Sequence, residues 1–361
     1  MIKTLFAILL IATTLPSCTR EKQKTQVNAV KPAFVYAHES SGNSWIESQK
    51  FAEISLEFMP FSKVASTYYN IKTFKDAKNT IGQLAEVGHD IIFCHGPSFN
   101  SAMLEVAKSY PRRVFMGYEV ASNEQNVGSY WIKIFQAKFL AGMIAAGVSS
   151  NGKIGYVSDM PTSSNYRQVN AFTLGARLIN PDAVVLHIWT NRGDDEVTEK
   201  AATKMLIDSA VDVLTLGLNT STPVRYSASK GIYTIGHNIA MKKILPKNHL
   251  ADIVLKWDKI FAKTIEEVAQ GSWNNRKKWF GFDEDALDLI NLSPKIPDDI
   301  RLRVFSVKNS LKENSMKVFA GQINSTDGRI IVQEGFYLLD EALLRMNWFV
   351  EGVEKVQLPE E

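Results

Sequence analysis

Cysteine is nearly absent. The 361 residues hold only two, Cys18 and Cys94, so no disulfide framework carries the fold and no Cys-rich zinc site can be assembled. An excess of one charge is missing too. The formal net charge is +3, with no basic block, and this gives nucleic-acid binding no support. No apolar run reaches the roughly 20 residues of a membrane-spanning helix. Enzyme signatures are lacking as well: no G-x-G-x-x-G after a strand, no P-loop, no G-x-S-x-G elbow and no H-E-x-x-H. Tandem repeats are absent.

What is present begins at the amino end. Lys3 is followed by the eight-residue apolar run LFAILLIA, Leu5 to Ala12, which is the size of a signal-peptide core. Leu15-Pro16-Ser17-Cys18 resembles a bacterial lipobox, with an aliphatic residue at −3 and a small one at −1. That resemblance implies cleavage before Cys18 and lipidation of its thiol. Acyl chains contribute about 0.8 kcal/mol per buried methylene, so such a cysteine anchors without a helix. An ordinary signal peptide with an incidental cysteine is the plainer alternative. Residues 1–17 are thus expected to be a signal peptide, and 18–31 a lipidated cysteine with a polar tether. Cys94, inside the strand-like DIIFCHG, reads as a buried, unpaired thiol.

From Pro32 onward about 330 residues remain, more than one core usually holds, so two lobes are expected. Short apolar runs alternate with stretches of helical period. PAFVYA (32–37), DIIFCHG and RRVFMGY (112–118) are separated by helices such as SWIESQKFAEISLEF (44–58). After NVGSYWI the series restarts with KIGYVSD, VVLHIWT, DVLTLGL and YTIGHN. This rhythm predicts an α/β chain of two Rossmann-like doubly wound lobes with parallel sheets. The boundaries predicted are 32–130 plus 241–282 for the first lobe and 131–240 plus 283–353 for the second. LADIVLKWDKIFAKTIEEVAQG (250–271) reads as one long amphipathic helix.

In open parallel sheets, ligands bind beyond the carboxyl ends of the strands. After the first strand come Ser41, Asn43 and Trp45. Phe99 follows DIIFCHG, and Tyr118 with Glu119 closes RRVFMG. Asp159 and Met160 follow KIGYVS. Trp189 and Asn191 close VVLHI, Asn219 follows DVLTLGL, and His237 with Asn238 follows YTIG. Aromatic rings with amides suit a planar, hydrogen-bonding ligand such as a nucleobase. Each residue also has a plain structural role. Trp45 could pack into the core, Trp189 could plug the hinge, and Ser41, Asn43 and Asn219 could simply cap helices. His38, His95 and His237 each end a strand, but their intervals match no zinc spacing.

VNAFTLGARLINPDAVVLHIWTN, AVDVLTLGL, GIYTIGHN and the closing MNWFVEGV resemble the basic membrane protein family, over nearly all of residues 32–353. These are substrate-binding lipoproteins of ABC transporters. The resemblance implies the type I periplasmic binding protein architecture with three interlobe crossovers, and a purine base or nucleoside as ligand. On the matching motifs it carries site roles to Asn43, Trp45, Trp189, Asn191, Trp257 and Arg167. Two departures stand out. The family's His-Thr-Asp-Ser-Pro is here Leu218-Asn219-Thr220-Ser221-Thr222-Pro223, and its Asp-x-Asp is His237-Asn238-Ile239-Ala240. The missing acids point to a free base rather than a nucleoside, unless Glu39 or Glu119 stands in.

The expected protein is therefore a monomeric, lipid-anchored solute-binding protein on the periplasmic or extracellular side of a bacterial membrane. Its partners would be a purine-type ligand and an ABC permease. It would need no cofactor, bind no metal or nucleic acid, and catalyse nothing. A surface lipoprotein or sensor using the same cleft is the alternative, and an α/β enzyme acting on nucleosides is a further one. The anchor is testable. Cys18→Ala should leave the chain unprocessed or released, read by detergent-phase partitioning. Full membrane association of that variant in a washed fraction would refute the anchor.

Overall fold

The computed structural model describes residues 29–37, 39, 42–63, 65–244 and 247–359. The expected signal segment, Cys18, His38 and Ser41 lie outside the described residues.

The first series is β1 (Pro32–Tyr36), α1 (Ser44–Leu56), β2 (Ser66–Tyr68), α2 (Phe74–Glu86), β3 (Ile91–His95), α3 (Asn100–Ser109), β4 (Val114–Tyr118) and β5 (Val127–Ile132). The second is α4 (Ile134–Val148), β6 (Lys153–Ser158), α5 (Ser163–Ile179), β7 (Val184–Trp189), α6 (Glu196–Asp208), β8 (Val213–Gly217), α7 (Thr222–Ser229), β9 (Tyr233–Gly236) and β10 (His249–Leu255). The chain ends with α8 (Trp257–Ala269), β11 (Lys278–Phe280), β12 (Leu287–Ile290), α9 (Asp298–Lys312), β13 (Ile323–Asn324), β14 (Ile330–Val332), α10 (Asp340–Leu344) and β15 (Val353–Lys355). Local chemistry sets several starts. Asn43, Thr73, Thr162 and Asp195 each accept a first-turn N–H, as N-caps do, at α1, α2, α5 and α6. β1 and β3 are buried along their whole length, as strands covered on both faces must be.

The strands form two main sheets. The first has the order β11-β5-β4-β3-β1-β2 and is parallel throughout. The second has the order β12-β10-β9-β8-β6-β7-β15, parallel except for the β10–β12 pair. Each repeats one doubly wound pattern, its first strand lying between its second and third. The order reverses at β1/β3 and at β6/β8, and such switch points open a crevice at the strands' carboxyl ends. Two of them face one another across the molecule.

The chain passes between the sheets three times: after β5, after β10, and between β11 and β12. The passages are tied together. Lys133 N–H donates to the Phe280 carbonyl at 2.7 Å, and Lys256 N–H to that of Ala286 at 2.8 Å. The Lys256 ammonium also reaches Asp285 at 2.7 Å.

Sheet membership corrects two sequence expectations. β10 stands in the second sheet, so residues 249–255 do not go with the first lobe, and β5 carries that lobe past 130 to Ile132. The segment read as one helix over 250–271 is a strand followed by a helix. Ala251, Ile253 and Leu255 are buried, and so are Leu250 and Asp252. Burial on both faces removes the alternation that marks a half-exposed strand, leaving an apolar run that helix and strand share. Among the described residues no helix is long and apolar enough to cross a membrane.

The core of the second lobe turns on α4. It is buried almost all round, as a helix apolar on every side must be, and it packs on α5 through glycine. A Cβ on Gly142 would sit 1.9 Å from the Phe172 carbonyl oxygen, and one on Gly175 1.9 Å from that of Phe139. Both obstacles are backbone and cannot swing aside. Gly142→Ala should therefore cost at least about 1–3 kcal/mol of stability, read as a lowered thermal midpoint. An unchanged midpoint would contradict this helix crossing.

Candidate functional site

A cavity of about 390 Å³ lies between the lobes, at the two facing switch points. That volume suits one small molecule. The first lobe contributes Ala37 after β1, Asn43, Trp45 and Ile46 at the start of α1, His95, Gly96 and Ser98 after β3, and Tyr118 and Glu119 after β4. The second contributes Asp159 after β6, Thr162, Ser164, Asn165 and Gln168 at the start of α5, Asp194 before α6, Gly217 to Asn219 after β8, and His237 after β9.

The lobes touch directly around this cavity. Ser44 N–H donates to the Asn219 carbonyl at 2.7 Å. Asn238 donates its amide to Ser44 Oγ at 3.1 Å and to Asn219 Oδ1 at 3.2 Å. Asn43 Oδ1 caps α1 by accepting from Ile46 N–H, while its Nδ2 donates to Asp194 Oδ2 across the cleft at 3.3 Å. Arg167, nearly sealed, reaches Glu119 of the other lobe at 3.4 Å and donates to the Leu343 carbonyl at 2.9 Å. The cleft is shut by these contacts.

Its electrostatics follow from burial. Burial pushes the Glu119 carboxyl up, against the Arg167 guanidinium and the Tyr118 hydroxyl, which hold it down. Asp159 is raised by burial and then by Asp194. His95 is lowered to about 3 by burial. His237 is held well below the usual histidine range, by burial first and by the neighbouring Lys138 second. Both imidazoles are therefore neutral near pH 7. Among the described residues no group of three His, Cys, Asp or Glu is arranged to hold a metal.

The structure sorts the expected site residues. Asn43, Trp45, Tyr118, Asn219 and His237 line the cavity. Trp45 stands edge-on to Tyr118, ring centroids 4.8 Å apart, and to Trp257 at 4.9 Å. Trp257 is itself fully buried and donates to Ser48 Oγ at 2.9 Å. It supports Trp45 from behind and does not line the cavity. Asn238 likewise works as an interlobe latch one step back. Three expectations are corrected. Phe99 is buried in the core beside Ala33, Val35 and Cys94, because a short 3-10 turn over Pro97–Phe99 directs it inward. Trp189 packs against His187, Tyr166 and Phe349. Asn191 is exposed, with φ of 53°. Carboxylates do reach the cavity, from Glu119, Asp159 and Asp194, although the two segments that depart from the family strings carry none. Asp159 had a sequence signal, its place directly after a strand. Gln168 and Asp194 had none, because their position depends on how the lobes meet.

Comparison with known proteins bears on this geometry. The model of one family, described as ABC transporter substrate-binding protein PnrA-like (Bmp), matches residues 44–327. The chain belongs to the Bmp family. A purine-binding protein of Brucella abortus is 28% identical over 331 residues, covering 90% of this chain and 93% of its own. A Haloferax volcanii protein provisionally named as an ABC transporter glucose-binding protein is 27% identical, covering 90% of this chain and 80% of its own. Among solved structures, an ABC transporter solute-binding protein from Conexibacter woesei superposes with a TM-score of 0.68 at 19% identity, over 80% of this chain and 98% of that one. This Bmp chain thus has the type I periplasmic binding protein fold, and substrate-binding proteins of ABC transporters act outside the cytoplasm.

The latch gives a test. Asn238 has φ of 68°, which glycine adopts freely, so Asn238→Gly removes the side-chain bonds without straining the backbone. The ligand-free chain should open, read as a larger radius of gyration in solution scattering. Ligand affinity should fall about threefold to tenfold, the worth of one net hydrogen bond. An unchanged scattering profile would show that this side chain does not hold the lobes together.

Proposed function

We propose that this Bmp protein holds a purine base or nucleoside in the interlobe cleft and passes it to an ABC permease, while Cys18 anchors it to the membrane. The observation that carries the ligand reading is the cavity wall itself. The Trp45–Tyr118 corner offers aromatic surface to a flat ring, and amides, imidazoles and carboxylates from both lobes surround it. Stacking on such surfaces is worth about 1–3 kcal/mol per base in nucleic-acid sites. The name of the Brucella relative, which covers nearly the whole chain, supports the same class. Support for the anchor is the Leu15-Pro16-Ser17-Cys18 string. Binding needs no covalent step: the ligand favours the shut form and shifts the lobes toward it.

The acids reopen the choice between base and nucleoside, because a carboxylate can accept from adjacent ribose hydroxyls. Calorimetry with adenine, guanine, adenosine, guanosine and glucose tests the proposal. At least one purine compound should bind at micromolar concentration or below, and glucose should not. Glucose binding with all four purines silent would move the protein to the sugar class and overturn the reading.

A further inference from the structure

α1 is apolar on two opposite sides. One side, with Ile46, Ala52 and Leu56, is buried in the core. The other carries Phe51 and Ile54, and Phe58 continues it just past the helix end. These three side chains are 70%, 52% and 85% exposed. A surface helix normally turns a polar face to water, and a helix apolar all round is normally buried. The outer face of α1 is therefore a contact without its partner. Lysines flank it. Lys50 and Lys63 are exposed, and Glu57 is the one exposed acid between 50 and 63. Lys242 and Lys243 of the second lobe line one groove with Phe51. Glu47, in the same groove, is engaged by the Gly42 N–H at 3.1 Å.

The fold says what stands closest to this face. Phe58 leads through a turn into Phe61–Lys63, which grips the start of the described chain. Val30 N–H donates to the Phe61 carbonyl at 2.8 Å, and Lys63 N–H to the Val30 carbonyl at 2.8 Å. The chain thus enters the fold beside Phe58. Cys18 precedes Val30 by twelve residues, a length that spans at most about 40 Å when fully extended. An acylated Cys18 would hold this corner of the first lobe within that distance of the bilayer.

We propose that the outer face of α1 lies against the lipid surface, with Phe51, Ile54 and Phe58 entering the headgroup boundary and the flanking lysines at headgroup level. The choice of occupant rests on the Cys18 anchor proposed above. Apolar side chains bordered by lysines are the composition of helices that lie in the plane of a membrane, their apolar face sunk about 5–10 Å into it. Lipid is also the one partner that the anchor would bring to this corner whether or not a ligand or a permease is present.

The scarcity of cysteine makes the test clean. Cys94 is buried and an acylated Cys18 cannot be labelled, so a cysteine introduced on the surface takes a thiol-reactive fluorophore alone. Phe58→Cys, Ile54→Cys and, on the closing segment, Phe336→Cys are labelled one at a time. Phe336 is itself 65% exposed. The lipidated full chain is reconstituted into vesicles of phosphatidylcholine and phosphatidylglycerol, with and without nitroxide-bearing lipid. Nitroxide lipid should quench the probes at 54 and 58 about fivefold more strongly than the probe at 336, because only the first two sit at the depth of an interfacial helix. The two positions on α1 are read separately, so misfolding of one variant does not hide the result. Equal quenching at all three positions, or none at 54 and 58 on chains that stay with the vesicles, overturns the inference and leaves the anchor standing. A blue shift at 54 and 58 that disappears on dilution of protein in lipid, without quenching, assigns the face to a second copy and overturns it too. A chain that does not stay with the vesicles overturns both the face and the anchor.

Discussion

The amino end of α1 is completed by the opposite lobe. The first N–H groups of a helix have no partner within it. Asn43 serves one of them through its side chain, but Ser44 N–H is served by the Asn219 carbonyl across the cleft. Asn238, from the end of β9, then closes on Ser44 Oγ. Helix capping, an element of local structure, is here shared between two sheets that the chain joins only through three passages. Opening the lobes would hand that N–H back to water, at a net cost of only about 0.5–1.5 kcal/mol. A latch of this strength can shut a cleft and still release it.

That balance leaves a shut cavity with polar walls between the lobes. The interlobe contacts favour closure, while burial of the Asp159 carboxyl beside Asp194 opposes it. A ligand that donates to that carboxyl would remove the opposing term and leave the latch in place. Its differential affinity for the shut form is then built into the wall. The aromatic layer behind adds rigidity. Trp45 leans on Trp257, which is held by Ser48, so the ring that lines the cavity is already fixed in place.

The fold was legible because strand and helix periods alternate cleanly from PAFVYA to YTIGHN. It became illegible at HLADIVLKWDK, where a strand buried on both faces runs into an amphipathic helix through one lysine. Nothing in the apolar pattern marks that junction. In the site, residues placed by strand ends were legible: Asn43, Trp45, Tyr118, Asn219 and His237 all reach the cavity. Phe99 and Trp189 did not follow the rule, since a residue just past a strand end can turn back into the core as readily as outward. Gln168 belongs to the opening of α5 and reaches the cavity only because α5 points at the first lobe. No local sequence signal encodes that.

The acids teach a related point. By motif position, the segments 219–223 and 238–240 lack the carboxylates that the family strings carry, which pointed to a free base unless Glu39 or Glu119 stood in. The structure instead supplies Asp159 from the strand before, Asp194 from the loop after β7, and Glu119 from the other lobe. A binding cavity is a volume, and several loops can deliver the same functional group into it. Loss of an acid from one loop therefore says little about the chemistry of the whole until the other loops at both switch points have been placed. What the motif positions do reveal is where charge has moved. Toward the second sheet's carboxyl ends, Asp159 follows β6 and Asp194 precedes α6, while His237, neutral through burial, lines the cavity beside Asn238, where an acid was expected.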